Sequence, residues 1–369
     1  MQLRENIYAV GAKDPDLRIF HGFATHLGTT YNAYLVLDEK VTLIDFVKAP
    51  FAEELLANIR AVLGERPVDC LICNHVEPDH SGALPAVTAA YPEAKVYGTL
   101  AAEKELRALY PDTVYPFVPV KAGDTLHTGA YTFHFVPMPM VHWPDSMATY
   151  LPEEKILFSN DALGQHIGTG ELFDSELPLE TLLKEAGAYY ANIVLPFGAP
   201  VKKVLTAAAG LDIDMVCPSH GLILRDYIPQ MLACYSRWCE NGTDENRVVI
   251  VYDTVWGATE KLARKLAAEW AEKGFAVEAL KLPETPISDV MTRLLEAKYI
   301  FVGSPTLNNN MLPTVAAFLT AMRGLKPKGR VGLAFGAYGW SGEAAGQIQD
   351  ILTACGFETL EPIKVQWNI

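Results

Sequence analysis

The chain has 369 residues, half of them hydrophobic and 20% charged, which excludes a disordered polymer and points to two domains, or three, with sizeable cores. The 44 acidic and 30 basic residues leave a net charge of −14, which argues against nucleic acid as the main partner, because phosphate contacts need clustered cations. No run approaches the roughly 18 to 20 apolar residues of a membrane span, and Met1 to Lys13 lacks a signal-peptide core.

In chain order, the first β-rich runs are Ala33 to Leu37 and Val41 to Asp45. A helix is expected over Phe51 to Leu63, then an apolar run from Cys70 to Cys73. Tyr131 to Val136 and Lys155 to Ser159 read as strands. Leu179 to Tyr190 reads as a helix with Pro178 just ahead of it. Strands and helices do not alternate strictly here, so the expected class is α+β or a layered α/β/α arrangement. The polar stretch Cys239 to Arg247 suggests a boundary, dividing the chain into 1–245 and 246–369. Beyond it alternation is strict. Strands are expected at Val248 to Tyr252, Ala276 to Lys281, Tyr299 to Gly303, Arg330 to Phe335 and near Glu358 to Val365. Helices are expected at Thr259 to Lys273, Ile287 to Ala297, Leu312 to Arg323 and Glu343 to Ala354. That pattern implies a doubly wound parallel sheet, with ligands at the carboxyl ends of its strands.

The densest chemistry is Asn74-His75-Val76-Glu77-Pro78-Asp79-His80, four potential metal ligands within six residues of one another. A strand running into a loop can turn all four toward one point, with Pro78 preventing a regular ladder. Three further candidates each follow a strand-like run: His142 after Met138 to Val141, Asp161 after Lys155 to Phe158, and His220 after Met215 to Cys217. Together they supply four His and three carboxylates. Mixed oxygen and imidazole donors suit iron, although zinc also accepts both.

H-x-E-x-D-H followed by lone His, Asp and His resembles the metallo-β-lactamase fold, whose hydrolases usually carry a second His where this chain has Glu77. Glu at that place, with a flavodoxin-like domain following, resembles the flavodiiron proteins over nearly the whole chain. The implied architecture is a metallo-β-lactamase-like αββα sandwich followed by a flavodoxin-like doubly wound domain. By the family pattern, His75, Glu77 and His142 hold one iron, Asp79, His80 and His220 the other, and Asp161 bridges them. The resemblance also points to His21 and Tyr190 as residues near the di-iron pocket that could act on substrate. His166 is expected beside the site without being a ligand. His26, His127 and His134 are read as structural.

The C-terminal strands carry a second constellation. Thr254, Val255, Trp256, Gly257, Ala258 and Thr259 follow the first strand, and their hydroxyls and amides can cradle a phosphate at a helix start. No P-loop and no G-x-G-x-x-G is present, so a nucleoside triphosphate or a dinucleotide is not expected. Pro305, Thr306, Leu307, Asn308 and Asn309 follow the third strand. Ala337, Tyr338, Gly339, Trp340 and Gly342 follow the fourth, where Tyr338 and Trp340 can border a planar ring. Three such loops resemble the FMN site of flavodoxins. The family continues into a closing helix after the last strand, so one is expected beyond Ile369.

The resemblance implies an oxidoreductase in which FMN passes electrons from rubredoxin, or a similar carrier, to a pair of irons that reduce O₂ to water or NO to N₂O. It also implies a head-to-tail homodimer, or a dimer of such dimers, in which the FMN of one subunit meets the irons of the other. Six scattered cysteines are read as structural thiols, which fits a cytoplasmic location. Two rivals stand beside this reading: a zinc hydrolase with a regulatory flavodoxin domain, and an electron-transfer protein whose first domain holds no metal.

Overall fold

The computed structural model describes residues 1–367, so the expected helix after Ile369 lies outside the described residues. The chain forms two compact units. The first comprises Met1–Arg18, Thr25–Ala186 and Ala199–Tyr235; the second takes Ile19–Ala24, Gly187–Gly198 and everything from Ser236 onward. This division is not the single cut expected at 245. Strand Asp244–Tyr252 starts inside the polar stretch read as a boundary, and its first three residues are solvent-exposed, which is why the stretch looked like one.

The first unit is built on two mixed sheets. One runs in the order Gln2–Arg4, Ile7–Ala9, Tyr34–Val36, Thr42–Ile44, Cys70–Ile72, Lys95–Gly98, Phe117–Pro119. The other runs Thr125–His127, Thr132–Pro137, Met147–Leu151, Ile156–Asn160, Met215–Pro218. Side chains alternate across each strand, so Tyr34, Val36, Ile44 and Ile72 of the first sheet share a core with Phe133, Phe135, Ile156 and Phe158 of the second. The helix Ala52–Leu63 buries Leu55, Leu56 and Ile59. Their spacing gives one apolar face, as the period of 3.6 requires.

Two carboxylates hold loops of this unit in place. Asp174 is fully buried and accepts backbone N–H bonds from Ser175, Arg225, Asp226 and Tyr227 at 2.7–3.2 Å. Asp174→Ala would leave these amides unpaired, and the denaturation transition of this unit should lose about 3 kcal/mol. Asp38 accepts from Thr128 Oγ1 and from the amides of Glu39, Ala130 and Tyr131 at 2.8–3.0 Å. Partial burial would raise its carboxyl, but these donors outweigh that and hold it below the usual carboxylate range. A depressed pKa contributes stability above the unfolded value of about 3.9 and loses it as pH falls through the lower folded value. Asp38→Asn should therefore cost about 1 kcal/mol near pH 7. The gap to the parent protein should close on acidification toward pH 3, as read by denaturant midpoints at each pH.

The second unit carries a parallel sheet in the order Ala276–Lys281, Asp244–Tyr252, Ala297–Gly303, Val331–Tyr338, with Glu358–Thr359 and Ile363–Gln366 both beside the last of these. The expected fifth strand is thus two short pieces. Val248 to Val251 are all fully buried, because helices cover both faces: Val249 and Val251 join Val290, Phe318 and Leu319, while Val248 and Ile250 join Leu262 and Leu266. Helix Ile287–Leu294 ends sooner than expected, because Ala297 already belongs to the next strand. The two outlying segments are tied to that helix. The Ala24 amide donates to Ser288 Oγ at 3.0 Å, and Asn192 Nδ2 donates to the Ser288 carbonyl at 3.2 Å.

Candidate metal centre and flavin cleft

The seven expected ligands of the first unit converge where strands of its two sheets end. His75 and Glu77 follow Cys70–Ile72, Asp161 follows Ile156–Asn160, and His220 follows the neighbouring parallel strand Met215–Pro218. Two details differ from expectation. Asp79 and His80 lie on a helical turn, Pro78–Ser81, because Pro78 sits at a helix start, where its missing N–H costs nothing. His142 is not at a strand end; the strand stops at Pro137, and His142 lies in the connection that follows.

The donor atoms form two sets. His75, Glu77, His142 and Asp161 make one; Asp79, His80 and His220 make the other, with atoms in each within 4.8 Å of one another. Glu77 Oε2 is 3.3 Å from His75 Nε2 and from His142 Nε2. Asp79 Oδ2 is 3.2 Å from His80 Nε2 and 3.1 Å from His220 Nε2. Asp161 reaches both sets: Oδ2 is 3.5 Å from His75 Nε2 and 3.3 Å from His142 Nε2, while Oδ1 is 3.1 Å from His80 Nε2 and 3.6 Å from His220 Nε2.

These spacings are those of ligands around an ion. Two donors each about 2.1 Å from one cation, at tetrahedral or octahedral angles, stand roughly 3.0–3.4 Å apart. Both Asp161 oxygens are buried and make no well-formed hydrogen bond, as do both ring nitrogens of His80. Such atoms are costly unless something else satisfies them. The seven residues therefore fit a pair of divalent cations, with Asp161 reaching both, and three carboxylates would offset much of their charge.

The surroundings fix the rings. Asp145 Oδ2 accepts from His75 Nδ1 and from the Val76 amide, both at 2.9 Å, and the Thr30 carbonyl accepts from His220 Nδ1 at 2.6 Å. Each bond turns the other nitrogen, Nε2, toward the centre. Without a metal, burial would lower His80, but Asp79 and Asp161 outweigh it and raise its ring to about 9. Burial would raise Asp161, but His80, His142 and His75 hold it well below the usual range. Cations must displace those protons, so metal uptake should release acid.

The remaining candidates fall as follows. His166 is buried, 2.7 Å from Thr29 Oγ1 through Nδ1, with its ring 4.9 Å from that of His220, and it belongs to neither donor set. His21 lies in the second unit, exposed and stacked on Phe20 at 4.0 Å. Tyr190 is in the same unit, buried with its ring 5.2 Å from Trp238. None of the six cysteines is in a disulfide, Cys70 and Cys73 included.

The second unit has a cleft of about 200 Å³ at the carboxyl ends of its strands. It opens where the sheet order reverses, between Asp244–Tyr252 and Ala297–Gly303, the switch point at which such sheets bind ligands. Three expected loops line it. Thr254, Val255, Trp256, Ala258 and Thr259 come from the first, Pro305, Thr306 and Leu307 from the second, and Ala337, Tyr338, Gly339 and Trp340 from the third. Thr259 Oγ1 is buried without a partner at the start of the fifteen-residue helix Ala258–Glu272, an orphan donor where an anion would sit. The backbone comes close here: a Cβ on Gly336 would stand 2.0 Å from the Ser304 carbonyl.

Four expected contacts do not line the cleft. Gly257 instead donates its amide to Thr254 Oγ1 at 3.0 Å and shapes the loop. Asn308 and Asn309 form the exposed turn bridging Leu307 and Asn310, and Gly342 precedes the helix Glu343–Ala354. Trp367 does line it and was not foreseen; it follows the last strand with no motif around it. The Asp145 role was likewise missed, although its place three residues after His142 was a usable signal.

Two family models match successive parts of the chain. The model of the ODP family beta lactamases matches residues 29–221, and that of flavodoxin matches residues 250–368. A nitric oxide reductase of Moorella thermoacetica is 43% identical over 99% of this chain and 93% of its own length. The structure of rubredoxin oxygen:oxidoreductase from the anaerobe Desulfovibrio gigas superposes with a TM-score of 0.97 at 38% identity, covering 100% of this chain and 93% of that one. The flavodiiron protein of Giardia intestinalis also superposes at 0.97, with 34% identity, covering 100% of this chain and 91% of that one.

Proposed function

The chain belongs to the flavodiiron protein family, and on that footing we propose that it reduces O₂ to water, NO to N₂O, or both, at a di-iron site fed through FMN. The observation that carries this is Asp161, whose two buried oxygens reach the two donor sets separately. When bound, the flavin supplies an electron store that is filled in pairs and emptied singly, and the irons supply the site where the gas is reduced. His75, Glu77 and His142 hold one iron; Asp79, His80 and His220 hold the other. Asp145 and the Thr30 carbonyl keep His75 and His220 turned inward. Burial of His75, His80, Asp79, Asp161 and His220 limits water around the centre. Glu77 and His142 are the more exposed pair and mark the side from which a gas arrives.

In the second unit, Thr254, Thr259 and the amides of their loop hold the flavin phosphate, while Tyr338 and Trp340 border its ring. The working form is a head-to-tail homodimer in which the flavin of one copy serves the irons of the other. Trp256, Trp340 and Trp367 support this: they are 82%, 86% and 55% exposed around one cleft, an apolar rim suited to a covering partner. The electron donor is rubredoxin or a similar carrier, as the name of the Desulfovibrio gigas relative suggests, and six cysteines outside any disulfide suit the cytoplasm. The test is gas consumption by the protein loaded with iron and FMN and reduced anaerobically by one common donor. Catalytic loss of at least one gas is expected; loss of neither would overturn the assignment.

A further inference from the structure

Both donor sets draw on both sheets of the first unit. His75, Glu77, Asp79 and His80 follow Cys70–Ile72 of one sheet, while His142, Asp161 and His220 follow strands of the other. The spacing of the sheets therefore sets the spacing of ligands at either ion. An apolar core lies between them, and apolar packing has no direction, so alone it does not fix position to about 0.5 Å, the tolerance of such a site. Hydrogen bonds have direction, and a set of them crosses the gap at the ligand loops. Asn74, the residue before His75, is buried and oriented by the first sheet: its amide and Nδ2 donate to Asp45 Oδ1 and Oδ2 at 2.7 and 3.0 Å. That leaves Asn74 Oδ1 for the second sheet, where Thr149 Oγ1 donates to it at 2.7 Å. The Asn74 carbonyl accepts from the Met147 amide at 2.9 Å and from Asn160 Nδ2 at 3.4 Å. Asn160 in turn steadies two more ligands. Its Oδ1 accepts from the Asp161 amide, and its carbonyl accepts at 2.8 Å from the amide of Ser219, one residue before His220.

We propose that Asn74 and Thr149 stitch the two sheets together beside the metal centre and so set the distance between its two halves. The inference rests on the seven ligands proposed above. Asn74 is a positioning residue: it belongs to neither donor set and acts through the His75 backbone and the second sheet. Thr149 is buried in the middle of Met147–Leu151. Valine has its shape without the donor, and serine has its donor without the methyl, so the two substitutions separate the hydrogen bond from packing. Without the bond, Asn74 Oδ1 faces an apolar methyl, and the preset spacing of His75 and Asp161 relaxes. Iron must then draw the halves together, and its affinity falls.

Ferrous-ion binding to the full-length protein, by competition with a chelator, tests it. Thr149→Val should bind iron about tenfold more weakly than the parent, and Thr149→Ser within about twofold of it. Denaturant unfolding of the metal-free proteins shows which variants are folded. Asn160→Gly suits the left-handed backbone at φ 59° while removing the link to Asn74, and it should weaken iron binding by at least as much. A Val variant that binds iron like the parent would overturn the proposal; if that variant does not fold, a Gly variant that binds like the parent would do so. A Ser variant as weak as the Val variant would also overturn it, because packing of the methyl would then be the cause. If the parent itself takes up no iron, the metal-centre reading fails and the stitch falls with it. Parent-like binding by the Val variant leaves that reading intact and removes only the stitch.

Discussion

Asp161→Ala should bind fewer than two irons per chain and lose at least about 99% of its gas consumption. The residue reaches both donor sets: His75 and His142 face one oxygen, His80 and His220 the other. Removing a ligand usually costs far more than the roughly 10–100-fold seen when only an outer partner of a ligand is lost. The metal-free fold should survive, because His75, His80 and His142, whose rings neighbouring carboxylates raise, can release protons once the carboxylate is gone. Iron content and O₂ or NO uptake, measured on the same preparation, check this. Full uptake with two irons retained would mean that the carboxylate does not join them.

The second large effect is expected at the opposite cofactor. The double variant Thr254→Val, Thr259→Val should bind FMN about a hundredfold more weakly while keeping its iron. Each hydroxyl bonded to an ionised phosphate contributes about 1.5–3 kcal/mol, and valine matches threonine in shape but offers no hydrogen bond. Thr259 Oγ1 has no partner of its own, so the loss falls on the ligand. Thr254 Oγ1 also accepts the Gly257 amide, so part of the effect comes through the loop. Flavin fluorescence titration measures the affinity, and iron analysis shows that the first unit is untouched.

The metal centre was legible because its residues are crowded or punctuated. Four ligand types between His75 and His80 have little competing explanation, and Asp161 and His220 each follow an apolar strand. The parallel sheet was legible for the same kind of reason: buried runs such as Val248 to Val251 alternate with amphipathic helices. Tertiary choices were not. Nothing periodic in Ile19–Ala24 or Gly187–Gly198 says that these segments join the second unit. The helical turn at Pro78 hides behind a residue read first as a breaker. Asp145 and Trp367 act through neighbours distant in sequence, and a lone acid or tryptophan has many commoner uses.

Anomalous diffraction from crystals of the iron-loaded protein, recorded on both sides of the iron absorption edge, tests the central claim most directly. The account predicts two iron peaks roughly 3.5–4 Å apart. One should be flanked by His75, Glu77 and His142, the other by Asp79, His80 and His220, with Asp161 between them. A single peak, or a pair whose signal belongs to zinc rather than iron, would contradict it.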